Sequence, residues 1–423
     1  MLNKLHIQNF KSLRDVTLNL GRLNVFVGAN ASGKSNILDA LRVLQGIGNR
    51  YSISEILDGK PNGATNDRWS GIRGGSTNVS FDKLRNTPVR FDVSSTFTRR
   101  IYRLKDPNHS FVEKEENASY SIAFLPDVCR LTTENVSLTS NVIYDSTGLN
   151  NNPHQDANFR VRYFHGKPGR QPQIVNDAAT PILSQFVTPT QGWQQRPLKL
   201  QTVVRCRAFL RQLANIQYVS PSPTVLGEYT KLQQIERMGE QGENFSGLVK
   251  NICADPESKA AYLQWLQHLR PDEIEDVGTF DGAMSDPMFY IQERGKKFPA
   301  PVLSEGTLLF AALAAAFFQP DMPAAITIEE PENGIHPSRL RLLMELLRKQ
   351  SARTGTQVFI TTHSPVLLDW LQPEDYAHTF FCKRENSGES QVRSLANIPL
   401  FNDVVKQAPL GELFTEGWLE EAL

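Results

Sequence analysis

A glycine-rich octapeptide near the N-terminus, GANASGKS at residues 28–35, has the residue types and spacing of a phosphate-binding loop. Its glycines allow successive backbone N–H groups to point at a phosphate, and a helix that follows adds the positive end of its dipole. Lys34 would reach the β- and γ-phosphates of a nucleotide, and the Ser35 hydroxyl would bind Mg²⁺. The other predicted nucleotide-binding residues of this segment are Asn30, Ala31, Ser32, Gly33 and Asn36. The alternative is a glycine-rich turn that matches by chance; the apolar run before it and the helical pattern after it disfavour that interpretation.

Two adjacent carboxylates follow an apolar run in the last third of the chain, in the segment AAITIEEPE at residues 324–332. A buried strand that ends in paired acids can place one carboxylate on a metal ion and the other beside an attacking water. We assign Glu329 to the metal and Glu330 to the water. A strand that simply ends in solvated acids is the alternative, which the phosphate-binding loop upstream makes less favourable.

Two further segments, LSEGT at 303–307 and TTHSP at 361–365, flank these carboxylates in the sequence. Ser304 is suited to cap a helix, and together with the backbone of Gly306 it would form a second anion site at that helix N-terminus. Taken alone, the segment indicates only a helix start. His363 follows a buried strand and could hydrogen-bond a γ-phosphate or orient the water. A lone histidine there is more often structural, and its position after the paired carboxylates favours the functional interpretation.

The elements that must position these residues can be predicted from hydrophobic periodicity. Alternating runs predict strands at 5–8, 16–20, 23–27, 91–97, 119–125 and 158–164, the last three in an antiparallel lobe. Helical spacing is present at 34–44, 203–213, 245–252, 259–269 and 308–318, while 51–87 is predicted to be loop. Strand and helix then alternate through 324–328, 339–347, 357–360 and 365–371, as in a parallel sheet flanked by helices. We expect an α/β fold in which an N-terminal part (1–60) and a C-terminal part (276–423) belong to one domain, with a loop-rich region and β-lobe (61–200) and a helical subdomain (201–275) between them in the sequence.

Composition sets limits on the class of protein. The 423 residues include 45 basic and 45 acidic side chains, so any nucleic-acid surface must be a local patch. The four cysteines are far apart and form no CxxC pair, which argues against a zinc knuckle or a disulfide scaffold. The N-terminus has no signal-peptide pattern, and the apolar run at 308–318 is shorter than the ~20 residues that span a bilayer. A cytoplasmic location and no membrane partner are expected.

The order of these motifs resembles that of the ABC-type ATPases of the SMC, RecF and OLD group. The chain is closer still to the bacterial AAA family ATPases of the AAA_21 and AAA_15 type, whose typical start is similar to IQNFKS at 7–12 and whose typical end is similar to LGELF at 410–414. The resemblance covers about residues 1–50 and 240–423. It implies a P-loop ATPase head with a mixed β-lobe and a helical lobe. The sequence has no heptad run, so no long coiled coil is expected.

The resemblance also implies roles for individual residues. Glu330 and His363 would be catalytic, with ATP as substrate and Mg²⁺ bound by Ser35 and Glu329. Ser304 and Gly306 would form the signature that touches the γ-phosphate held by an opposite subunit, which requires a homodimer or a higher oligomer of dimers. The D-loop after the carboxylates would contain Asn333, Gly334 and His336.

The chain departs from the pattern of the group at three places. Glu329 stands where most ABC proteins have aspartate, a choice tolerated in the OLD-like subset, and Glu305 replaces a signature glycine. The metal-sensing glutamine of the Q-loop cannot be placed, and its counterpart at 67–80 contains no glutamine. No TOPRIM-like acidic cluster follows Pro365, so any cutting of nucleic acid is expected from a separate protein.

Three functions are compatible with this resemblance. The first is an ATP-driven sensor in a prokaryotic antiphage defence complex with a separate effector or nuclease. The second is a RecF-like repair ATPase on DNA, for which the candidate basic residues are Arg99, Arg100, Arg103, Arg160, Arg162, Lys167 and Arg170. The third is a scaffold that binds nucleotide only to assemble, against which the intact Glu330 argues. RNA binding also remains open.

Overall fold

The computed structural model describes residues 1–60, 69–81, 86–102, 111–149, 152–164, 173–187, 200–230, 235–282 and 286–422. The chain forms two compact units. The first comprises Met1–Gly21, Ala31–Ile216 and Cys382–Val392, and the second comprises Arg22–Asn30, Gln217–Phe381 and Arg393–Leu423.

The first unit is built on an eight-stranded antiparallel sheet with the order β2-β1-β4-β5-β6-β7-β8-β9. Its strands are β1 (Leu2–Phe10), β2 (Leu13–Asn19), β4 (Val89–Tyr102), β5 (Phe111–Leu125), β6 (Arg130–Leu138), β7 (Asn141–Asp145), β8 (Asn158–Tyr163) and β9 (Gln173–Asp177), with β3 belonging to the second unit. Alternate residues are buried, as Val16 and Leu18 are in β2, which is the pattern of a sheet with one packed face.

Four helices accompany this sheet: α1 (Lys34–Gly48), α2 (Ile53–Asp58), α3 (Ile182–Val187) and α4 (Leu200–Ala214). The α4 residue Phe209 packs its ring against Phe97 and Tyr120 of the sheet. Helix α1 packs closely against α4, because a Cβ atom on Gly48 would lie 2.6 Å from the Ala214 Cα. The close approach fixes the helix that follows the glycine-rich loop.

The second unit is built on the sheet β10-β14-β15-β3-β16-β17. Its strands are β3 (Leu23–Val27), β10 (Ile216–Val219), β14 (Ala325–Glu329), β15 (Gln357–Thr362), β16 (Thr379–Arg384) and β17 (Ser390–Ser394), of which β16 and β17 continue into the segment Cys382–Val392 of the first unit. The four strands β14, β15, β3 and β16 are parallel. In this sheet Glu329 pairs with Thr361, and Thr362 pairs with Val27. The carboxyl ends of β14, β15 and β3 therefore lie at one edge.

Helices and a small antiparallel sheet surround this core. The small sheet contains β11 (Ile274–Asp281), β12 (Pro287–Glu293) and β13 (Lys296–Pro299). The helices are α5 (Pro223–Leu226), α6 (Phe245–Ala254), α7 (Pro256–Leu269), α8 (Glu305–Ala315), α9 (Leu340–Thr354), α10 (Pro365–Leu368), α11 (Phe401–Val404), α12 (Leu410–Thr415) and α13 (Trp418–Glu421). Helix α8 is buried almost all round, as its continuous apolar sequence predicts.

The predicted α/β fold class is confirmed, and most predicted strands and helices lie within a few residues of their expected bounds. Two expectations need correction. The segment 51–87 is not all loop, because α2 forms there with Ser52 and Glu55 as a capping box. The helix expected at 365–371 ends at Leu368, because the next residues form turns.

The longest helices in the described part of the chain have 15 residues, and no long coiled coil is present there. None of the described helices combines the length and apolar character needed to cross a bilayer.

Candidate nucleotide site

The glycine-rich loop begins at the edge of the sheet where the paired carboxylates also lie. Strand β3 ends at Val27, next to Thr362 of β15, and β15 in turn lies beside β14, which ends at Glu329. Gly28, Ala29 and Asn30 therefore leave the second unit at the same edge as Glu329 and His363. Ligands of open α/β sheets bind at this carboxyl edge.

The second half of the loop is packed tightly within the first unit. Gly33 has φ 104°, a left-handed conformation, and a Cβ atom there would collide with the Ser390 hydroxyl and lie 2.8 Å from the Ser12 hydroxyl. Ser12 Oγ accepts hydrogen bonds from Ser390 Oγ and from Asn36 Nδ2, each at 2.7 Å. The backbone N–H of Ser390 also donates to the Ser12 carbonyl at 2.7 Å. These contacts hold the loop and the first turn of α1 in a fixed position.

The loop retains polar groups that suit a phosphate. Helix α1 begins after Gly33 and receives no side-chain cap among the described residues. Ser32 Oγ is buried and has no hydrogen-bond partner in the described structure. A buried hydroxyl without a partner costs free energy, so it indicates a position where a ligand oxygen would bind. Lys34 is buried as well, 5% exposed, within this loop. The loop therefore fits a nucleotide phosphate.

Basic side chains that the sequence pattern did not single out lie beside the start of α1. Lys11 and Arg73 both pair with the buried carboxylate of Asp39, the latter at 3.2 Å. Arg73 Nη2 also donates to the Ser35 carbonyl at 2.8 Å. A cavity of about 530 Å³ opens here and is lined by Lys11, Ser12, Asn36, Arg73, Asn78 and Arg384. The loop at 67–80 thus supplies an arginine to this part of the site rather than a glutamine.

The paired carboxylates stand at the end of β14 with different surroundings. Glu329 is exposed, whereas Glu330 is half-buried and adopts a left-handed backbone with φ 45°, which is uncommon for a residue with a side chain. The Glu330 carboxylate lies 3.1 Å from His363 Nδ1 and accepts a 2.9 Å hydrogen bond from Asn333 Nδ2. The structure therefore brings together the two predicted catalytic residues, Glu330 and His363, and Asn333 of the predicted D-loop.

A third carboxylate of the same turn, that of Glu332, was not singled out by the sequence pattern. It is buried, and it accepts hydrogen bonds from Thr362 Oγ1 at 2.5 Å and from the His363 backbone N–H at 3.3 Å. Burial raises the pKa of this carboxyl, and the bonds from Thr362 and His363 act in the opposite direction.

The signature segment lies against the D-loop of the same chain. Ser304 is the N-cap of α8 and accepts a hydrogen bond from the Thr307 backbone N–H, as its residue type predicts. A Cβ atom on Gly306 would lie 2.6 Å from the Gly334 carbonyl oxygen, so only glycine allows this approach. Ser304 is exposed, which leaves this helix N-terminus accessible.

A cavity of about 320 Å³ lies between the signature helix and the turn after β14. Its lining includes the carboxylates of Glu305, Glu329 and Glu330 together with the apolar side chains of Leu309 and Leu313. Groups of three or more possible metal ligands of the His, Cys, Asp and Glu types are absent from the described part of the chain.

The basic residues proposed for DNA binding are partly engaged elsewhere. Arg99 lies 3.0 Å from the buried Glu116 carboxylate, and Arg162 lies 3.2 Å from Asp145. Arg103, Lys167 and Arg170 lie outside the described residues. Because Arg99 and Arg162 are neutralised in these ion pairs, they contribute less positive charge to a shared DNA-binding surface.

The fold and the loop are similar to those of P-loop ATPases of the ABC type. Two family models match the chain: "AAA ATPase domain" over residues 1–117 and "AAA domain, putative AbiEii toxin, Type IV TA system" over residues 254–369. The resemblance predicted from the motifs is thereby confirmed: the chain is similar to ABC-type ATPases of the SMC and OLD kind.

Two curated proteins are similar to the chain over most of its length. An ATP/GTP phosphatase of Helicobacter pylori is 22% identical over 398 residues, which cover 91% of this chain and 93% of that protein. An OLD nuclease of Thermus scotoductus is 23% identical over 396 residues, which cover 87% of this chain and 60% of that protein.

Solved structures of SMC heads are also similar in outline. The SMC head bound to the C-terminal winged-helix domain of ScpA has a TM-score of 0.45 at 13% identity, covering 93% of this chain and 96% of that one. The SMC head domain from Thermotoga maritima has a TM-score of 0.39 at 14% identity, covering 93% of this chain and 98% of that one.

Proposed function

We propose that this chain binds ATP with Mg²⁺ and hydrolyses it. The observation that carries the proposal is the arrangement at one sheet edge, where the phosphate-binding loop leaves β3 and where Glu330, Asn333 and His363 form a hydrogen-bonded cluster. A phosphate site next to a carboxylate that can accept a proton from water is the minimum requirement for nucleotide hydrolysis.

Different residues of the loop would contact different parts of the triphosphate. Lys34 would place its ammonium against the β- and γ-phosphates, and the backbone of residues 30–36 together with the Ser32 hydroxyl would surround the phosphate oxygens. Ser35 and Glu329 would hold the metal ion, which neutralises charge on the phosphates when bound.

Hydrolysis would depend on the cluster around Glu330. Its carboxylate accepts the proton of the attacking water, while His363 and Asn333 keep the carboxylate oriented through the hydrogen bonds already present. Glu330 holds this position through a strained backbone, which is the kind of pre-organisation found at functional sites.

The exposed Ser304 and the N-terminus of α8 support the further proposal that two chains close on ATP. Each signature would contact the γ-phosphate bound by the opposite chain, giving a homodimer or an assembly of such dimers. The Ser304 hydroxyl already serves as the helix cap, so a phosphate would be met by this hydroxyl and by the backbone N–H groups of the same turn.

The test compares Lys34→Ala and Glu330→Gln with the wild type in phosphate release and in native mass with Mg-ATP. We expect both variants to lose at least about 100-fold in turnover, because one removes phosphate contacts and the other removes the base. Glu330→Gln should keep ATP and accumulate as a dimer, and Lys34→Ala should remain in the nucleotide-free state. His154→Ala, a change at an exposed histidine outside the predicted motifs, is the control. Wild-type turnover in Glu330→Gln would exclude the assigned base.

The biological role that these features support best is a sensor ATPase in a prokaryotic antiphage defence complex with a separate effector or nuclease. The support comes from the similarity to a toxin–antitoxin family model and to an OLD nuclease. In a phage-challenge assay of cells that express this chain, Lys34→Ala should abolish any protection that the wild-type chain gives. Protection that persists at the wild-type level would rule out an ATP-driven defence role and favour the repair or scaffold alternatives.

A further inference from the structure

The turn after β14 holds the segment after β15 with two carboxylates. Glu330 contacts the imidazole of His363, with 3.1 Å between Oε1 and Nδ1. Glu332 contacts the main chain of the same residue, since its Oε1 accepts the His363 N–H at 3.3 Å and the Thr362 hydroxyl at 2.5 Å. Glu330 therefore contacts the ring of His363, and Glu332 contacts its backbone.

The environment of Glu332 indicates that holding this segment is its main role. The side chain is 8% exposed, and in the described structure its Oε2 has no hydrogen-bond partner. The hydrogen bonds that its carboxylate receives from other residues of the described structure come from Thr362 and His363. A buried carboxylate with one oxygen unpaired is costly to the fold. A position that served packing alone would be filled at lower cost by an apolar side chain.

His363 needs this support because of where it stands. Strand β15 ends at Thr362, so the ladder of the sheet no longer fixes the His363 backbone, and 43% of its side chain is exposed. An exposed ring with one hydrogen bond would sample several rotamers. Fixing the backbone N–H limits that freedom and keeps the ring against Glu330.

We propose that Glu332 is a positioning residue for hydrolysis, which fixes the main chain of His363 so that the imidazole stays on Glu330. The inference rests on the proposed function and adds a residue to it. Glu332 touches neither substrate nor water in this role. Its effect on turnover passes through His363 alone.

The experiment is a double-mutant cycle in steady-state ATP hydrolysis, with Glu332→Ala, His363→Ala and the combined variant. ATP affinity is measured in parallel with a fluorescent ATP analogue. We expect Glu332→Ala to lower kcat by about 10- to 100-fold with nucleotide affinity within about threefold of wild type, as for other residues that orient a catalytic group. In the His363→Ala background the same change should have little further effect, because its target is gone.

Two milder variants keep the test valid should Glu332→Ala fold poorly. Glu332→Gln retains an acceptor at Oε1 and should keep at least about a third of wild-type turnover, which would be rescue by a near-isosteric side chain. Thr362→Val removes one donor and leaves Glu332 in place, and it should lower kcat in the same direction as Glu332→Ala by a smaller factor.

Three results would overturn the inference: wild-type kcat in Glu332→Ala, equal damage from Gln and Ala, or losses that multiply in the double variant. These outcomes differ from a failure of the proposed function. If His363→Ala and Glu330→Gln themselves hydrolyse ATP normally, the assigned chemistry is wrong. If these two are inactive and Glu332→Ala is silent, only the role of Glu332 fails.

Discussion

Gly306 shows how a single residue type links the signature to the D-loop. The sequence motif suggests a backbone that must approach an anion. The structure adds that the same glycine packs against the Gly334 carbonyl, and Gly334 follows Asn333, which holds the Glu330 carboxylate. A methyl group at 306 must therefore push the D-loop away from its present position.

Gly306→Ala is expected to lower ATP turnover by about 10- to 100-fold, because a shift of about 1 Å near the reacting groups is enough for such a loss. Affinity for nucleotide bound to the loop at 28–35 should change little. Turnover and fluorescent-nucleotide titration are the measurements. Gly227→Ala is the matched control, since a Cβ atom there meets its nearest neighbour at an ordinary 3.5 Å. Equal activity of the two variants would contradict the proposed link.

At the scale of elements, two buried glutamines tie the signature helix to the core sheet. Gln319, just after α8, donates to Gln217 of β10 at 2.6 Å and to the Ala316 carbonyl at 2.9 Å. Its own Oε1 accepts the Met238 N–H at 2.9 Å. Through the Gln217 carbonyl the network also reaches Thr327 of β14, the strand that ends in the paired carboxylates. These buried amides fix the register of α8 relative to that strand.

Gln319→Leu should destabilise the chain by about 2–4 kcal/mol, because Gln217 Oε1, the Ala316 carbonyl and the Met238 N–H each lose a buried hydrogen bond. Urea unfolding followed by circular dichroism measures the free energy of unfolding. The exposed Gln407→Leu serves as the control and should change it by no more than about 0.5 kcal/mol. If Gln319→Leu and Gln407→Leu have the same free energy of unfolding, the network does not contribute to stability.

At the scale of the whole molecule, all four cysteines are free thiols. Burial raises the pKa of Cys129 and Cys253 to about 11 and of Cys206 and Cys382 to about 12. The reactive thiolate is therefore scarce at neutral pH in every part of the fold. The sequence spacing had already argued against disulfides and a zinc site.

Labelling with a thiol-reactive disulfide reagent at pH 7.5 should be slow in the folded protein. It should become fast for all four cysteines in denaturant, where their pKa values return to about 8.5. Because the folded-state values are raised, reactivity should increase as the pH rises towards 11. Immediate labelling of the native protein at pH 7.5 would contradict these buried environments.

The sequence by itself determined the fold class and the resemblance to ABC-type ATPases, and it placed the candidate motifs on their strands and helices. Local patterns were sufficient there, since a glycine-rich loop between strand and helix and an apolar strand ending in Glu329 and Glu330 are fixed by neighbours in the chain. Ser304 as a helix cap was predictable for the same reason.

Only the tertiary structure decided which distant residues complete the site. Ser390 reaches the loop from 357 positions beyond Gly33, and Arg73 reaches Ser35 from a glycine-rich segment without helical or strand periodicity. The sequence alone does not distinguish Glu332 from the neighbouring acids. Its contacts with Thr362 and His363 follow from the pairing of β14 with β15, in which Glu329 lies opposite Thr361. Sheet register and close packing set these contacts, and they depend on the whole chain being folded rather than on any local pattern.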